Sequence, residues 1–298
     1  MTSHLGTRPT NRPVAITGAS SALSRAIAMR LAKRGHALAL TARDPAELEA
    51  TATDIAVRTG VNVAAVPADL ADEAAADTLF ARLDEASHRE LGAGITGLVI
   101  AHSGTPDQEH DIADPASARR VYEHTLVTPA LLLNAATLHF ERVGEARDRP
   151  FIVVIGSVAG DRGRPANSVY GSAKAGLAAL TQGARDRLGP QGVSVVLVKP
   201  GWIDTRSTFA IDKGRALIAS PDTVARDIAK AIDRRSPVVY TPWFWRWILA
   251  LVRIVPAKSV RRDLAESDST SEADRQAARA SLLAEVRGHA CNTIERNP

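Results

Sequence analysis

Apolar residues fall in short unbroken runs separated by longer stretches of helical spacing. The runs lie at residues 14–17 (VAIT), 37–41 (ALALT), 62–66 (NVAAV), 96–100 (TGLVI), 151–155 (FIVVI), 193–198 (VSVVLV) and 238–241 (VVYT). Most are rich in β-branched residues and lack polar alternation, the pattern of strands buried on both faces. Residues 25–34, 47–59, 72–91, 116–140, 170–188 and 221–234 carry helical patterns, with Pro129 interrupting 116–140. Asp44 suits a helix N-cap, and Ser220-Pro221 suits an N-cap followed by a first helical residue. Strands alternating with helices predict an α/β fold, doubly wound, around one central parallel sheet. Residues 1–11 read as a disordered lead, 12–262 as one domain, and 263–298 as a polar tail. In that tail, residues 271–274 (SEAD) resemble a capping box with Asp in place of Glu, opening a helix to about residue 287.

The pattern changes at residues 242–256, PWFWRWILALVRIVP, which hold three of the four tryptophans. The 13 residues between Pro242 and Pro256 make about 20 Å of helix at 1.5 Å per residue. A bilayer core needs about 30 Å, so this apolar C-terminal helix does not span one. Arg246 and Arg253 share a face, and Lys258, Arg261 and Arg262 follow. Two readings stand: a helix lying on a membrane surface, with contact through 242–262, or one that caps the sheet or packs in a dimer.

Composition narrows the function. Of 298 residues, 45% are hydrophobic, 23% charged and 4% aromatic, ordinary for a globular protein with a core of small aliphatic side chains. The net charge of +4 comes without a dense Lys/Arg tract, so no nucleic-acid partner is expected. Cys291 is the only cysteine, which excludes an internal disulfide and fits a reducing compartment. The polar start is not a signal peptide. A cytoplasmic location is expected, peripheral on the inner face of the membrane if 242–262 meets lipid.

Candidate chemistry gathers after the fifth run. Ser157 sits just past its end, where open α/β sheets place ligands. Tyr170 and Lys174 follow, four apart on one helical face. A phenol has a free pKa of about 10, too high for acid–base work at neutral pH. An ammonium beside it favours the phenolate, and a nearby serine can hydrogen-bond a carbonyl or alcohol. His102 and His110 have no metal-ligand spacing with a carboxylate or cysteine, so no metal is expected.

Ser157, Tyr170 and Lys174 resemble the catalytic set of the short-chain dehydrogenase/reductase family, built on a Rossmann fold. That resemblance implies Tyr170 as proton donor, Ser157 polarising the carbonyl, and Lys174 holding the nicotinamide ribose. A family asparagine that completes a tetrad corresponds to His124, either a replacement in the relay or an ordinary packed histidine. The family's TGxxxGxG turn keeps Gly18 but has Ala22 and Ser24 at the other glycines. The pyrophosphate would lie over Gly18, Ser20, Ser21, Ala22 and Leu23. Arg43 occupies the position that favours NADPH over NADH, or is a solvated arginine. Asp69 and Leu70 match the adenine site, or begin a loop. Gly104 lets the backbone pass the nicotinamide ribose. Pro200, Gly201, Ile203 and Thr205 match the loop over the nicotinamide. Trp202 and His102 are expected to line the substrate pocket, and Arg162 and Arg164 to meet a substrate phosphate.

The run GDRGRPANSVYGSAKAG points within the family to the decaprenylphosphoryl-2-keto-pentose reductase-like branch. The activity implied is NADPH-dependent reduction of a ketone, on a small-molecule or lipid-linked keto-sugar. A ketoreductase of a soluble metabolite and a non-redox member of the fold are the alternatives. Homodimers and homotetramers are usual in the family.

Overall fold

The computed structural model describes residues 10–104, 106–144, 149–204 and 218–254. Among these, seven strands form one sheet: β1 (Thr10–Thr17), β2 (His36–Thr41), β3 (Val63–Ala65), β4 (Gly97–Ile100), β5 (Phe151–Ile155), β6 (Ser194–Pro200) and β9 (Val238–Thr241). Their order is β3-β2-β1-β4-β5-β6-β9, and every pairing is parallel. Two short strands, β7 (Trp202–Ile203) and β8 (Ile218–Ala219), pair separately beyond β6.

The unbroken apolar runs are explained by what covers them. Val14 and Ile16 face α1 (Ala22–Ala32), α2 (Pro45–Thr59) and α8 (Pro221–Arg234), in one hydrophobic cluster with Leu38, Leu40, Val153 and Val196. Ala15, Leu98, Ile152, Val154 and Val195 face the other way, against α3 (Glu73–Ala86), α6 (Thr128–Val143) and α7 (Ser168–Leu188). With both faces dry, neither set of alternating side chains can be polar.

Several boundaries differ from the sequence reading. β1 begins at Thr10, inside the stretch expected to be a disordered lead. α1 begins at Ala22, where Ser21 caps it by accepting from the Ser24 amide. The helix expected over 72–91 ends at Ala86 and continues as one π turn, Ser87–Leu91. A short helix, α4 (Gln108–Ala113), was not expected. Pro129 does not break the next helix. α5 (Pro115–Tyr122) runs through a π turn, Glu123–Val127, into α6, where Pro129 sits in the first turn. The extra residue of the π turn widens the helix just where a proline ring would press on the carbonyl four residues back.

The C-terminal apolar stretch forms α9 (Trp245–Ile254). No helix among the described residues is long and apolar enough to cross a membrane. Thr205, Lys258, Arg261, Arg262, the expected substrate lid over 206–217 and the 263–298 tail lie outside the described residues.

Candidate active site

The sheet order reverses direction between β1 and β4, and the crevice at the carboxyl ends of those strands is where such folds bind ligands. Gly18 makes the turn out of β1 at φ +67°, a left-handed conformation that favours glycine. A β-carbon there would also crowd the His102 backbone, 3.1 Å away. Ser20, Ser21 and Ala22 are exposed at the start of α1, while Leu23 is buried. Helix-start amides have no carbonyl one turn back, and they suit an anion. Ser24, at the family's third glycine, is fully buried and turned inward, where its hydroxyl lies 3.4 Å from the Thr17 carbonyl oxygen. It therefore does not narrow the crevice.

Arg43, just past β2, is exposed and has no hydrogen-bond partner among the described residues. Asp69 is exposed, with one carboxylate oxygen accepting the Ala71 amide at 3.0 Å; Leu70 is half-buried beside it. Helix-start amides at one end of this edge and the exposed Arg43 guanidinium at the other are a donor set whose chemistry suits the phosphates of a dinucleotide.

Ser157 follows β5, and its hydroxyl accepts the Ala159 amide at 3.1 Å. The turn after it lies directly on α7. A β-carbon on Gly160 would stand 2.8 Å from backbone atoms of Lys174 and Ala175, so only glycine allows this approach. The start of α7 is held from α4, because Gln108 accepts the Val169 amide at 3.4 Å and donates to the Ser168 hydroxyl at 2.9 Å. The Ser157 turn is thereby placed against the first turns of α7, which carry Tyr170 and Lys174.

Tyr170 and Lys174 are close, with Lys174 Nζ 5.6 Å from the phenol ring centre. Nζ donates to the Ile155 carbonyl at 2.9 Å, and burial pulls its pKa down to about 7. Burial pushes the phenol up, against hydrogen bonds from Ser157 and Ser103 that pull it down. Ser103 was not among the residues expected from sequence. It sits where the family has alanine, and only its tertiary neighbour marks it.

His102 lies beneath the Gly18 turn. Its Nδ1 is 2.7 Å from Thr17 Oγ1. That hydroxyl already accepts the amides of Ala101 at 3.0 Å and His102 at 3.4 Å. The same hydroxyl also donates to the Val99 carbonyl oxygen at 3.5 Å. Nε2 is buried without a partner among the described residues. Burial, then the charge of the neighbouring Lys174, lowers the His102 pKa to about 3, so it is neutral. His124 stands in the π turn, near Gly104: a β-carbon on Gly104 would be 3.5 Å from the His124 β-carbon.

Beyond β6, Pro200 ends the strand and Gly201 donates its amide to the Thr241 carbonyl at 3.0 Å. Trp245 of α9 packs where a Gly201 side chain would be and meets Trp202 edge-on at 5.1 Å. Ile203 pairs with Ala219. Arg162, expected to face a substrate phosphate, is directed to α9, where it donates to the Val252 carbonyl. Arg164 is half-buried in the same loop and has a partner of its own. The three tryptophans of 242–256 do not share one surface: Trp245 is 7% exposed, Trp243 72% and Trp247 65%.

The family model described as short chain dehydrogenase matches residues 12–216. An uncharacterized oxidoreductase of Streptomyces coelicolor is 35% identical over 261 residues, covering 84% of this chain and 95% of that protein. A solved short-chain dehydrogenase from Sphingobium yanoikuyae in complex with NADPH is 30% identical, with a TM-score of 0.66, covering 89% of this chain and 99% of that one. The bulky-bulky ketone specific alcohol dehydrogenase from Comamonas testosteroni is 25% identical, with a TM-score of 0.69, over 88% of this chain and 97% of its own.

Proposed function

Because the chain belongs to the short-chain dehydrogenase/reductase family, and is thus an oxidoreductase using a nicotinamide cofactor, we propose that it reduces a ketone to a secondary alcohol with NADPH. The observation that carries this reading is Lys174 Nζ lying 5.6 Å from the Tyr170 ring centre, with the turn that follows Ser157 packed directly on the same helix at the carboxyl edge of the sheet. The bound cofactor supplies a hydride to the carbonyl carbon. Tyr170 delivers a proton to the carbonyl oxygen as charge develops there. Ser157 donates a hydrogen bond to the same oxygen and polarises it. Lys174 holds the nicotinamide ribose, and its charged form favours the phenolate left behind.

On this reading Gly18, Ser20, Ser21, Ala22 and Leu23 hold the pyrophosphate, and Asp69 and Leu70 the adenine. Gly104, Pro200, Gly201, Ile203 and Thr205 border the nicotinamide. The exposed, unpartnered Arg43 supports NADPH, because a guanidinium matches the extra phosphate. The NADPH-bound relative supports the same choice.

The test is NADPH oxidation across a panel of ketones, with and without detergent. Turnover that falls at least about a hundredfold in Tyr170→Phe is the expected result. A Tyr170→Phe enzyme of normal rate would refute the proton-donor role.

A finer reading is that the ketone is a lipid-linked keto-sugar met at an anionic membrane surface. Its support is the outer face of α9 and the turn before it, where Trp247 and Leu251 on the helix and Trp243 in the turn are exposed, with Arg246 6.0 Å from the Trp247 ring. Basic residues follow in the sequence at Arg253, Lys258, Arg261 and Arg262. Exposed indole with a basic edge suits an interfacial helix. Sedimentation with anionic vesicles, lost in a Trp243→Ala/Trp247→Ala double variant, is expected. Absence of sedimentation by the native chain would favour a soluble bulky ketone, in line with the substrate named for the Comamonas enzyme.

A further inference from the structure

α1 and α8 pack against each other on one face of the sheet, and a hollow of about 330 Å³ lies between them. Its walls carry Arg30 and Lys33 from α1, and Arg226 and Lys230 from α8. Residues three or four apart share a helix face, so each helix brings two cations to the same space. Arg34 also lines the hollow, but it pairs with Asp233 and donates to the Ala229 carbonyl at 3.2 Å. Arg226 stands 3.8 Å from the Asp227 carboxylate, whose other oxygen accepts the Thr241 hydroxyl at 2.9 Å. Arg30, Lys33 and Lys230 have no ion pair among the described residues, and Arg30 Nε is buried without a hydrogen-bond partner there. Asp222 is the remaining carboxylate of the lining.

The charge continues toward the amino edge of the sheet. Arg34 and Asp233 also line a neighbouring hollow beside the starts of β2, β5 and β6, where Arg12, Arg149 and Arg235 stand. The two linings together hold eight lysines and arginines against two aspartates. That surplus of six exceeds the +4 of the whole chain, so the rest of the molecule is net acidic. Helix ends do not account for the cluster. Cations suit a last turn, which explains Arg30 and Lys33, but Arg226 stands in the first half of α8. Like charges facing one another across a small hollow repel, and an anion between them removes the repulsion.

Phosphate is the anion these groups fit. A guanidinium forks onto two phosphate oxygens, and an ammonium adds a point charge. Four cations against Asp222 leave a surplus of three, more than a monoanion neutralises. The volume is of small-molecule size.

We propose that the hollow between α1 and α8 is a second ligand site, which takes a compound carrying a diphosphate or a similar cluster of phosphate charges. It is separate from the dinucleotide crevice: Ser21, at the start of α1, is nine residues from Arg30, about 14 Å along the helix. The site does not depend on the proposed ketone reduction.

The test is calorimetry with pyrophosphate on the full chain, without cofactor. Binding is expected, weakened about tenfold or more in Lys230→Glu and in Arg30→Gln/Lys230→Gln, and kept in Lys230→Arg. Lys230 is exposed, so its replacement leaves the core intact. Pyrophosphate should raise the Tm of the native protein and not that of Lys230→Glu. Phosphatidylglycerol vesicles distinguish the source of the phosphate. Pyrophosphate binding without sedimentation that depends on Lys230 assigns a free phosphate ester. Sedimentation lost in Lys230→Glu but kept in Trp243→Ala/Trp247→Ala assigns a lipid headgroup. If Lys230→Glu leaves both pyrophosphate affinity and sedimentation unchanged, or the native protein binds neither, the site is overturned.

Discussion

Asp161, in the loop after Ser157, forms an ion pair with Lys199 at the end of β6, and both are almost fully buried. The other carboxylate oxygen accepts from the Tyr240 hydroxyl at 2.9 Å. Three segments around the site are thus tied by one carboxylate. A buried pair is weak evidence of net stability, but removing one partner strands a charge. Asp161→Ala should destabilise the protein by about 3 kcal/mol, read from urea unfolding. The Asp161→Ala/Lys199→Met double variant should recover much of that loss. Additive losses would show that the two side chains act independently.

Gly201 and Trp245 make a second tie. The indole fills the space a side chain would need, so Gly201→Ala must push Trp245 out or distort the turn. Overpacking of this kind costs about 1–3 kcal/mol. A red-shifted tryptophan emission and a lower Tm are expected, together with reduced NADPH affinity, because the same turn borders the proposed nicotinamide end. Emission and Tm equal to the native values would refute the contact.

Lys174 makes stability depend on pH in the alkaline range. Its folded pKa, about 7, lies below the ordinary lysine value of 10.5. Between those two values the unfolded chain holds a proton that the folded chain has released. Stability contributed by this group therefore rises as pH increases from 7 toward 10, by up to about 4 kcal/mol. In Lys174→Met that rise should vanish. Unfolding free energies of the two proteins that stay parallel from pH 7 to 9 would count against a desolvated ammonium.

His102 acts in the acid range. Its folded pKa of about 3 lies below the ordinary 6.5, so below pH 6.5 the unfolded chain takes up a proton that the folded chain refuses. Stability is lost as pH falls from 6.5 toward 3. His102→Asn should flatten this loss. The measurement is Tm against pH, and identical acid limbs in the two proteins would contradict it.

Arg43 should govern cofactor choice. Losing a charge-assisted contact to phosphate costs about 1.5–3 kcal/mol, or about a ten- to hundredfold rise in the NADPH KM, in Arg43→Ala. The NADH KM should change little. Equal effects on both cofactors would place Arg43 elsewhere than at the extra phosphate.

The sequence alone determined the strands and most of the helices, because burial on both faces demands continuous apolar runs and helix faces demand a 3.6-residue period. It determined equally that Tyr170 and Lys174 share a face, since four residues make about one helical turn. Periodicity says which side of an element is dry, but not what stands opposite. The contact of Ser103 with Thr125, the pairing of Asp161 with Lys199 and the hold of Gln108 on the start of α7 join segments far apart in the chain, so only the tertiary structure decided them. It also chose Trp245 over Trp247 as the tryptophan to bury. The pattern of α9 puts Arg246 and Arg253 on one face, and the space left at Gly201 decides which indole turns inward.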